Sequence, residues 1–272
     1  MKHIKAQNGV EYLKSEILSV PHGFSTRLGG VSTLSHTDSL NLAFGRGDEK
    51  DTVLQNLRLF AEAVGFDEQR CVSVSQIHSA DVRVVDESHA GQGYFVPEAF
   101  SCDGYVTTTP NLTIGVKTAD CVPILMEGYS TDGKLCAVGA VHAGWRGSVA
   151  GIAVNAIEKL TDLGACAEKI KVAVGPAICG ECFEVREDFY ISVRDMLGAE
   201  KVDRFVISDE NQKGVWHCDL KQMNFSLLLE TGVVAENIDV CGECTCCAPE
   251  LYFSHRYSKG KRGTALSVIR MP

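Results

Sequence analysis

The sequence predicts an α+β fold in which helices cover mixed β-sheets, built as a single domain over residues 1–272. Helix-like and strand-like segments interleave without strict alternation, and several consecutive strands are separated only by short turns, so they must pair antiparallel. Hydrophobic residues make up 45% of the chain and charged residues 22%, which is typical of a globular protein. No repeat, low-complexity tract or linker marks a domain boundary.

The first half of the chain alternates short apolar runs with glycine-rich loops. Apolar and alternating patterns predict strands over 11–20, 71–77, 82–85, 102–107, 112–116 and 122–126. A loop is predicted over 22–32, where glycines and hydroxyls surround one arginine. Residues 51–64 carry apolar side chains at helical spacing, with Asp51 as a suitable N-cap and Gly65 as a suitable C-cap. The pattern therefore predicts an amphipathic helix there.

The second half begins with a continuous apolar strand over 135–141, of the kind that is buried on both faces. Gly144 and Gly147 then turn the chain into a helix whose apolar stripe ends at Leu160. Further strands are predicted over 170–174, 205–207 and 265–270, and further helices over 185–196 and 220–231.

The charge and the N-terminal sequence exclude several classes of function. A formal net charge of −9 argues against nonspecific binding to nucleic acid or to anionic membranes, which reward clustered Lys and Arg. The first 20 residues contain no apolar core of a signal peptide, and no run of 18 apolar residues occurs. We expect a cytoplasmic protein with neither a nucleic acid nor a membrane as its partner.

Twelve cysteines without an export signal indicate reduced thiols rather than a disulfide framework. Four of them cluster over 241–247, but no second pair follows at the spacing of a zinc ribbon. We therefore expect packing rather than a metal site in this cluster. The same expectation holds for Cys179 and Cys182.

His78, Cys121 and His142 share one trait, because each lies at or just past the end of a predicted strand. Side chains in such positions can converge over a sheet edge. Two imidazoles and one thiolate around an open position are the ligand set of a catalytic zinc ion, which lowers the pKa of a bound water. By residue type alone, packing in the core is the more common role of a single His or Cys.

The sequence blocks around these three residues resemble the signature blocks of the YfiH-like family, also called the polyphenol-oxidase or laccase-domain family. The blocks are Gln76-Ile77-His78-Ser79, Thr118-Ala119-Asp120-Cys121-Val122-Pro123 and Val141-His142-Ala143-Gly144-Trp145-Arg146-Gly147. Further blocks match at 22–32, 40–42, 103–104, 175–178 and 253–256. The resemblance implies that His78, Cys121 and His142 bind zinc, and that the fold is similar to that of the cytotoxic necrotizing factor deamidases.

The same resemblance implies phosphorolysis of purine nucleosides, with adenosine deamination and cleavage of methylthioadenosine alongside. The small-molecule partners would then be phosphate and adenosine, inosine, guanosine or methylthioadenosine. In such a site Cys121 and His142 are catalytic candidates, and Asp120 is the nearest candidate acid or base. An alternative role for Asp120 is a hydrogen bond to the ring of a metal-binding histidine.

Phosphate binding requires guanidinium groups and backbone N–H donors. Arg27 in its glycine-rich loop and Arg146 at a predicted helix start are suitable candidates. Asn41 is a candidate for hydrogen bonds to the substrate hydroxyls. These three assignments combine chemistry with position in the matching blocks.

Three other functions compete with a zinc phosphorylase. A multicopper oxidase needs about ten histidines, many in His-x-His pairs, whereas this chain has eight histidines and no such pair, so copper is disfavoured. A cysteine hydrolase or amidase, for example one that edits peptidoglycan precursors, would use Cys121 and His142 without requiring His78. A noncatalytic nucleotide-binding protein would bind nucleosides without turnover.

Overall fold

The computed structural model describes residues 1–210 and 212–272. The strands are β1 (Lys2–Lys5), β2 (Glu11–Lys14), β3 (His22–Ser25), β4 (Cys71–Val72), β5 (Val82–Val84), β6 (Gly104–Thr107), β7 (Thr113–Thr118), β8 (Val122–Tyr129), β9 (Leu135–Ala143), β10 (Lys171–Val174), β11 (Glu184–Arg186), β12 (Val206–Ser208), β13 (Val215–Cys218), β14 (Ile238–Val240) and β15 (Ala265–Arg270). The helices are α1 (Lys50–Val64), α2 (Trp145–Val149), α3 (Ile152–Asp162), α4 (Glu187–Leu197), α5 (Ala199–Val202) and α6 (Leu220–Glu230). None of these helices has the length and apolar character needed to cross a membrane.

The strands form two sheets of six strands and one small sheet of three. The first sheet has the order β1-β2-β3-β15-β7-β4, and the second has the order β14-β10-β8-β9-β6-β5. Both contain parallel and antiparallel pairs, as β4 with β7 and β5 with β6 run parallel while β8 with β9 and β15 with β7 run antiparallel. The small sheet has the order β11-β13-β12. The predicted fold class, mixed sheets with helices, is confirmed.

The two large sheets pack face to face, and helices cover their outer faces. Phe24 and Ile114 of the first sheet share one buried cluster with Leu125 and Val138 of the second. On the outer face of the first sheet, α1 buries an apolar side that includes Phe60. Helices α3 and α6 cover the second sheet. Because both faces of the second sheet are covered, a functional side chain on this sheet reaches solvent most readily just past the end of a strand.

The longer helices agree with the prediction. Helix α1 covers the predicted range and ends at Gly65, whose φ of 91° is the left-handed conformation that glycine adopts without strain. The N-cap position is occupied by Glu49 instead of Asp51, and no side chain caps the helix there. Helices α4 and α6 begin and end within two residues of the predicted bounds.

The N-terminal strand predictions are wrong in their bounds. The strand predicted over 11–20 ends at Lys14, and the predicted loop over 22–32 begins with β3, an interior strand of the first sheet. Although β3 is polar in sequence, His22 is buried because its ring contacts the Val20 carbonyl at 2.7 Å and accepts the Ser15 N–H at 3.0 Å. The strand predicted over 71–77 is likewise reduced to β4, so His78 follows an irregular segment.

Strand register brings the residues of interest to one end of the second sheet. His142 near the end of β9 pairs with Pro123, and Cys121 lies just before β8. On the other side of β9, Val141 pairs with Gly104 of β6, so Asp103 lies next to His142. The chain between β4 and β5 passes this same end.

Candidate metal centre and its cavity

The structure brings His78, Cys121 and His142 together. One ligand atom from each residue, a ring nitrogen or a sulfur, lies within 4.8 Å of the other two. The two imidazole rings are tilted against each other with their centroids 4.8 Å apart. His142 is buried, Cys121 is half-buried and His78 is exposed. The three side chains thus lie on one side of a common point, and the opposite side of that point faces an open cavity.

The buried carboxylate of Asp103 orients two of the three ligands. It accepts a hydrogen bond from Nδ1–H of His142 at 2.8 Å, which leaves Nε2 of that ring free to bind a metal. It also accepts the backbone N–H groups of His78 at 3.0 Å and Ser79 at 2.7 Å. One side chain therefore fixes the ring of His142 and the loop that carries His78.

Electrostatics at this centre favour a cation. Burial would raise the pKa of Asp103, but hydrogen bonds from His142 and Ser79 outweigh it and hold the pKa at about 2. Burial would likewise lower the pKa of His142, but the neighbouring Cys121 and the Asp103 carboxylate raise it to about 9. The pKa of His78 is lowered, first by burial and then by repulsion from His142. The Asp103 carboxylate and the Cys121 sulfur thus both favour positive charge at the buried imidazole.

One glycine of the His-Ala-Gly-Trp-Arg-Gly block permits close packing at the centre. A Cβ atom on Gly147 would lie 2.7 Å from the carbonyl oxygen of Ser79, which is too close for a stable contact. A Cβ atom on Gly144 would make ordinary van der Waals contacts, 3.4 Å from Sγ of Cys121 and 3.5 Å from the His142 ring. Glycine at position 147 therefore lets α2 approach the loop that carries His78.

His78 and the residue that precedes Cys121 both have a left-handed backbone conformation, although neither is glycine. His78 has a φ of 59° and Asp120, which precedes Cys121, has a φ of 95°. Such conformations cost about 1–3 kcal/mol and concentrate at functional sites. Hydrogen bonds from the backbone N–H of His78 to Asp103 and from the N–H of Ile178 to the Asp120 carbonyl hold them.

Asp120 fixes one wall of the cavity. Its Oδ1 accepts the hydroxyl of Thr245 at 2.7 Å, and its Oδ2 accepts the backbone N–H of Arg256 at 2.7 Å. The imidazole contact, the alternative role for Asp120, belongs instead to Asp103. Each carboxylate oxygen can accept one more hydrogen bond, so Asp120 can still act on a bound molecule.

The ligands open into a cavity of about 500 Å³, a size typical of small-molecule sites. Its lining combines aromatic and basic side chains with the three ligand residues. The aromatic side chains are Phe44, Trp145 and Phe183, and the basic ones are Arg46, Lys117, Arg256 and Arg262. A flat ring and an anion would both find complementary surfaces here.

Arg262 is the basic residue best prepared for an anion. Its guanidinium donates to the carbonyl of Gly263 and to the hydroxyl of Thr264, at 3.1 and 2.7 Å. Its Nε is buried and has no hydrogen-bond partner among the described residues. Burial, and then the neighbouring Arg46, lower the pKa of Arg262 to about 10. Arg46 thus places a second guanidinium on this side of the cavity, and the two positive charges favour a bound anion.

None of the three predicted phosphate and substrate contacts, Arg27, Asn41 and Arg146, is among the residues that line this cavity. Arg27 donates to the carbonyls of Asp38 and Pro249 and stacks on Phe253, beside a separate, smaller cavity. Asn41 is fully buried, and its amide bonds to Ala43, Asp48 and Thr264 within the protein. Both side chains stabilise loops, so the glycine-rich surroundings of Arg27 reflect tight packing. Arg146 is exposed and stacks on Trp145, which does line the cavity.

Other residues of the site are missing from the sequence prediction. Asp103 carries a signal, since it lies in a matching block just before a strand, but nothing local links it to His142. Arg262 lies in a basic turn near the C-terminus, far in sequence from the ligands. The expectation for the cysteines also needs correction. A second pair does exist, because Cys179 and Cys182 meet two cysteines of the cluster over 241–247 in space.

Comparisons with known proteins agree on one family. The model of the family described as multi-copper polyphenol oxidoreductase laccase matches residues 21–272. A purine nucleoside phosphorylase of Deinococcus radiodurans is 36% identical over 97% of this chain and 94% of its own length. Adenosine deaminase RL5 of an unknown prokaryotic organism is 34% identical over 86% of this chain and 87% of its own length. The crystal structure of the hypothetical protein YfiH of Bacillus licheniformis superposes with a TM-score of 0.87 at 28% identity, covering 99% of this chain and 97% of that one.

Replacing Asp103 by Asn tests its organising role. The substitution keeps the shape of the side chain but removes its charge. It also turns an amide NH2 group toward donors, the His142 ring and the backbone N–H groups of His78 and Ser79. We therefore expect a loss of about 3 kcal/mol in the free energy of unfolding. Urea unfolding of the metal-free protein measures this loss. The difference from the wild type should persist at neutral pH. It should shrink as the pH falls from 3.8, the ordinary pKa of an aspartate, toward about 2, the pKa of Asp103 in the folded protein. Over this range protons bind first to the unfolded chain, so the stabilisation that the ionised Asp103 contributes is progressively lost.

The matched control is Asp81→Asn on the segment that carries His78, where the side chain is 40% exposed and its carboxylate pairs with Arg83. We expect this control to change stability by less than about 0.5 kcal/mol. Equal unfolding midpoints for the two variants would show that Asp103 does not organise the centre.

Proposed function

Since the chain belongs to the YfiH-like family, whose model is described as multi-copper polyphenol oxidoreductase laccase, we propose that it is a zinc-dependent purine nucleoside phosphorylase. One observation carries the proposal. The convergent His78, Cys121 and His142 open into a cavity that also offers aromatic walls and a buried guanidinium without a full set of partners. The cavity therefore offers separate groups for a metal ion, for the nucleoside ring and for phosphate.

Zinc is the metal that the residues fit best. Two imidazoles and one thiolate with an open side match a catalytic zinc site, and the Asp103 contact to His142 is the usual support for such a ligand. A blue copper site would add a weak axial ligand such as Met or Gln; no Met lines this cavity, and both ends of the Gln76 amide bond to the backbone of Lys117. A zinc ion bound here supplies a Lewis acid to the reacting group.

We assign phosphate to the side of the cavity with Arg262 and Arg46. Arg262 lines the cavity and its buried Nε has no hydrogen-bond partner among the described residues, and Arg46 adds a second positive charge. In phosphorolysis an oxygen of phosphate bonds to the anomeric carbon of the ribose while the bond from that carbon to the purine nitrogen breaks. The arginines hold the nucleophile close to the sugar and balance its charge.

The departing purine takes the electron pair of the broken bond and needs a proton. We propose that Asp120 supplies or relays it, because it lines the cavity and two hydrogen bonds hold its carboxylate in place. The rings of Trp145 and Phe183 are suited to stack on the purine. Inosine, guanosine and methylthioadenosine share the purine ring and the anomeric carbon, so we include them with adenosine as substrates.

We propose adenosine deamination as a second activity of the same cavity, in line with the relative named as an adenosine deaminase. In that reaction water adds to the amino-bearing carbon of the purine and ammonia leaves. One proton of the water passes to the ring nitrogen next to that carbon and the other to the departing amino group, which again requires the acid or base that we assign to Asp120.

One observation favours a second candidate, a cysteine hydrolase. His142 lies between Cys121 and Asp103, and both contacts raise its pKa, which is the order of groups in a Cys-His-Asp triad. His78 has no role in such a triad. The two functions therefore differ in their need for His78.

Product analysis with adenosine is the first test. With phosphate present we expect adenine and ribose 1-phosphate as the main products, and without phosphate we expect inosine only. Chromatography of the reaction mixture distinguishes the three outcomes. Adenosine left unchanged in both mixtures by metal-replete protein would favour a noncatalytic nucleotide-binding protein.

His78→Ala separates the metal enzyme from the hydrolase. Removing one of three ligands should lower bound zinc at this centre and reduce kcat/KM for phosphorolysis by at least about 100-fold. Elemental analysis and steady-state kinetics measure both effects. His255→Ala is the matched control, because His255 lines the cavity without being one of the ligands, and it should retain the metal. Full activity of His78→Ala without metal would support the hydrolase.

Arg262→Gln tests the phosphate assignment. The variant should raise the KM for phosphate about tenfold, which corresponds to about 1.4 kcal/mol, and leave the KM for adenosine within about twofold. Arg27→Gln serves as the control, since it removes a partly buried guanidinium of a different cavity. It should leave the phosphate KM unchanged even if the melting temperature falls. The opposite pattern would return the phosphate to Arg27.

A further inference from the structure

Four cysteines outside the centre described above converge on one point. Cys179 and Cys182 lie in the segment that follows β10, and Cys244 and Cys247 lie in the segment that follows β14. All four sulfur atoms lie within 4.8 Å of one another. The distance between the sulfurs of Cys182 and Cys247 is 3.4 Å, and that between Cys179 and Cys247 is 4.0 Å.

These distances match a tetrahedral metal site. Four thiolates at Zn–S distances of about 2.3 Å define a tetrahedron with edges of about 3.8 Å, between the two separations given above. A disulfide requires about 2.05 Å between its sulfurs, and all four thiols are free. Each pair has the Cys-x2-Cys spacing that is common in zinc sites. Four sulfur atoms this close to one another can surround a single ion but not two.

Backbone contacts hold the two cysteine-bearing segments together. The N–H of Cys179 donates to the sulfur of Cys244 at 3.2 Å, a contact that stabilises a thiolate and orients it. The two segments also pair as a short parallel bridge between Ala177 and Cys244, where the N–H of Thr245 donates to the Ala177 carbonyl at 3.2 Å.

A buried lysine supports the second segment. Nζ of Lys221 on α6 donates to the carbonyls of Cys241 and Glu243, at 2.8 and 3.1 Å. Because Glu243 directly precedes Cys244, this contact holds the start of the second Cys-x2-Cys pair against the helix. The convergence of the sulfurs thus follows from contacts on both sides of the cluster.

We propose that Cys179, Cys182, Cys244 and Cys247 bind one zinc ion in a closed structural site. All four positions of the tetrahedron are protein thiolates, so no open position is left for a substrate. The ion joins two segments that are more than 60 residues apart in sequence. It is separate from the ion that we assign to His78, Cys121 and His142.

The proposed ion would stabilise the wall of the substrate cavity. The first segment donates the N–H of Ile178 to the Asp120 carbonyl, and the second donates the hydroxyl of Thr245 to the Asp120 carboxylate. Arg256 donates to the carbonyls of Cys182 and Glu184 at 2.8 and 2.9 Å. Ile178, Asp120 and Arg256 all line the cavity, so fixing the two segments also fixes these three side chains.

Differential alkylation of the wild-type protein tests the site directly. The protein is purified with a reductant, and its thiols are alkylated before and after removal of zinc by a chelator. Peptide mass mapping then identifies the modified residues. We expect the four cysteines to be protected while zinc is bound and modified after chelation, whereas the half-buried Cys166, which lies outside the cluster, reacts in both states. Equal modification of the four in both states, or peptides joined by disulfides, would overturn the proposal.

Elemental analysis of two double variants gives an independent measurement. Cys182→Ser with Cys247→Ser removes two ligands, and Cys136→Ser with Cys166→Ser removes two half-buried cysteines that lie outside the cluster. We expect the first variant to contain one zinc ion fewer per chain than the wild type and the second to contain the same number. Because the measurement compares the zinc content of two variants that share the centre of His78, Cys121 and His142, zinc bound at that centre does not affect the difference. Equal zinc in both variants, or iron in place of zinc in the wild type, would contradict the proposed site.

Discussion

The hydrogen bonds of the buried Asp103 carboxylate are the interaction on which the candidate centre depends. A charge in the core of a protein is costly unless every oxygen is paired, and here the imidazole of His142 and the backbone of the segment with His78 supply the partners. The same contacts that compensate for burial of the charge bring two ligands from distant parts of the chain to one place. The geometry of the centre and the metal binding that we propose for it therefore depend on one side chain.

The opposite side of the cavity depends on Asp120, whose left-handed backbone would be unfavourable without external support. Its partners come from two segments, one after β10 and one after β14, and four convergent cysteines lie between those segments. The site thus has a rigid floor at the end of the second sheet and a wall made of irregular chain. Irregular segments need strong local contacts to hold their shape, and a tetrathiolate metal site is one of the few that need no large apolar core.

Sequence patterns predicted the parts of this structure that local chemistry determines. Helical spacing located α1, and the position of His142 after a continuous apolar run correctly located it at the end of a buried strand. The patterns failed where long-range contacts decide. The strand β3 looks like a loop because its polar His22 is compensated only in the folded protein. Arg27 looked like an anion ligand because a glycine-rich loop can surround either a ligand or, as here, the protein's own carbonyl groups. The pairing of the Cys-x2-Cys motifs depends on the adjacency of β10 and β14, which no local pattern indicates.

Anomalous diffraction at the zinc absorption edge, from crystals of the protein purified without chelator, tests the central claim most directly. A peak in contact with His78, Cys121 and His142, on the side of those residues that faces the cavity, is the result that the account predicts. Density for a thiol at Cys121 hydrogen-bonded to His142, with no anomalous peak at that position in zinc-replete crystals, would contradict it.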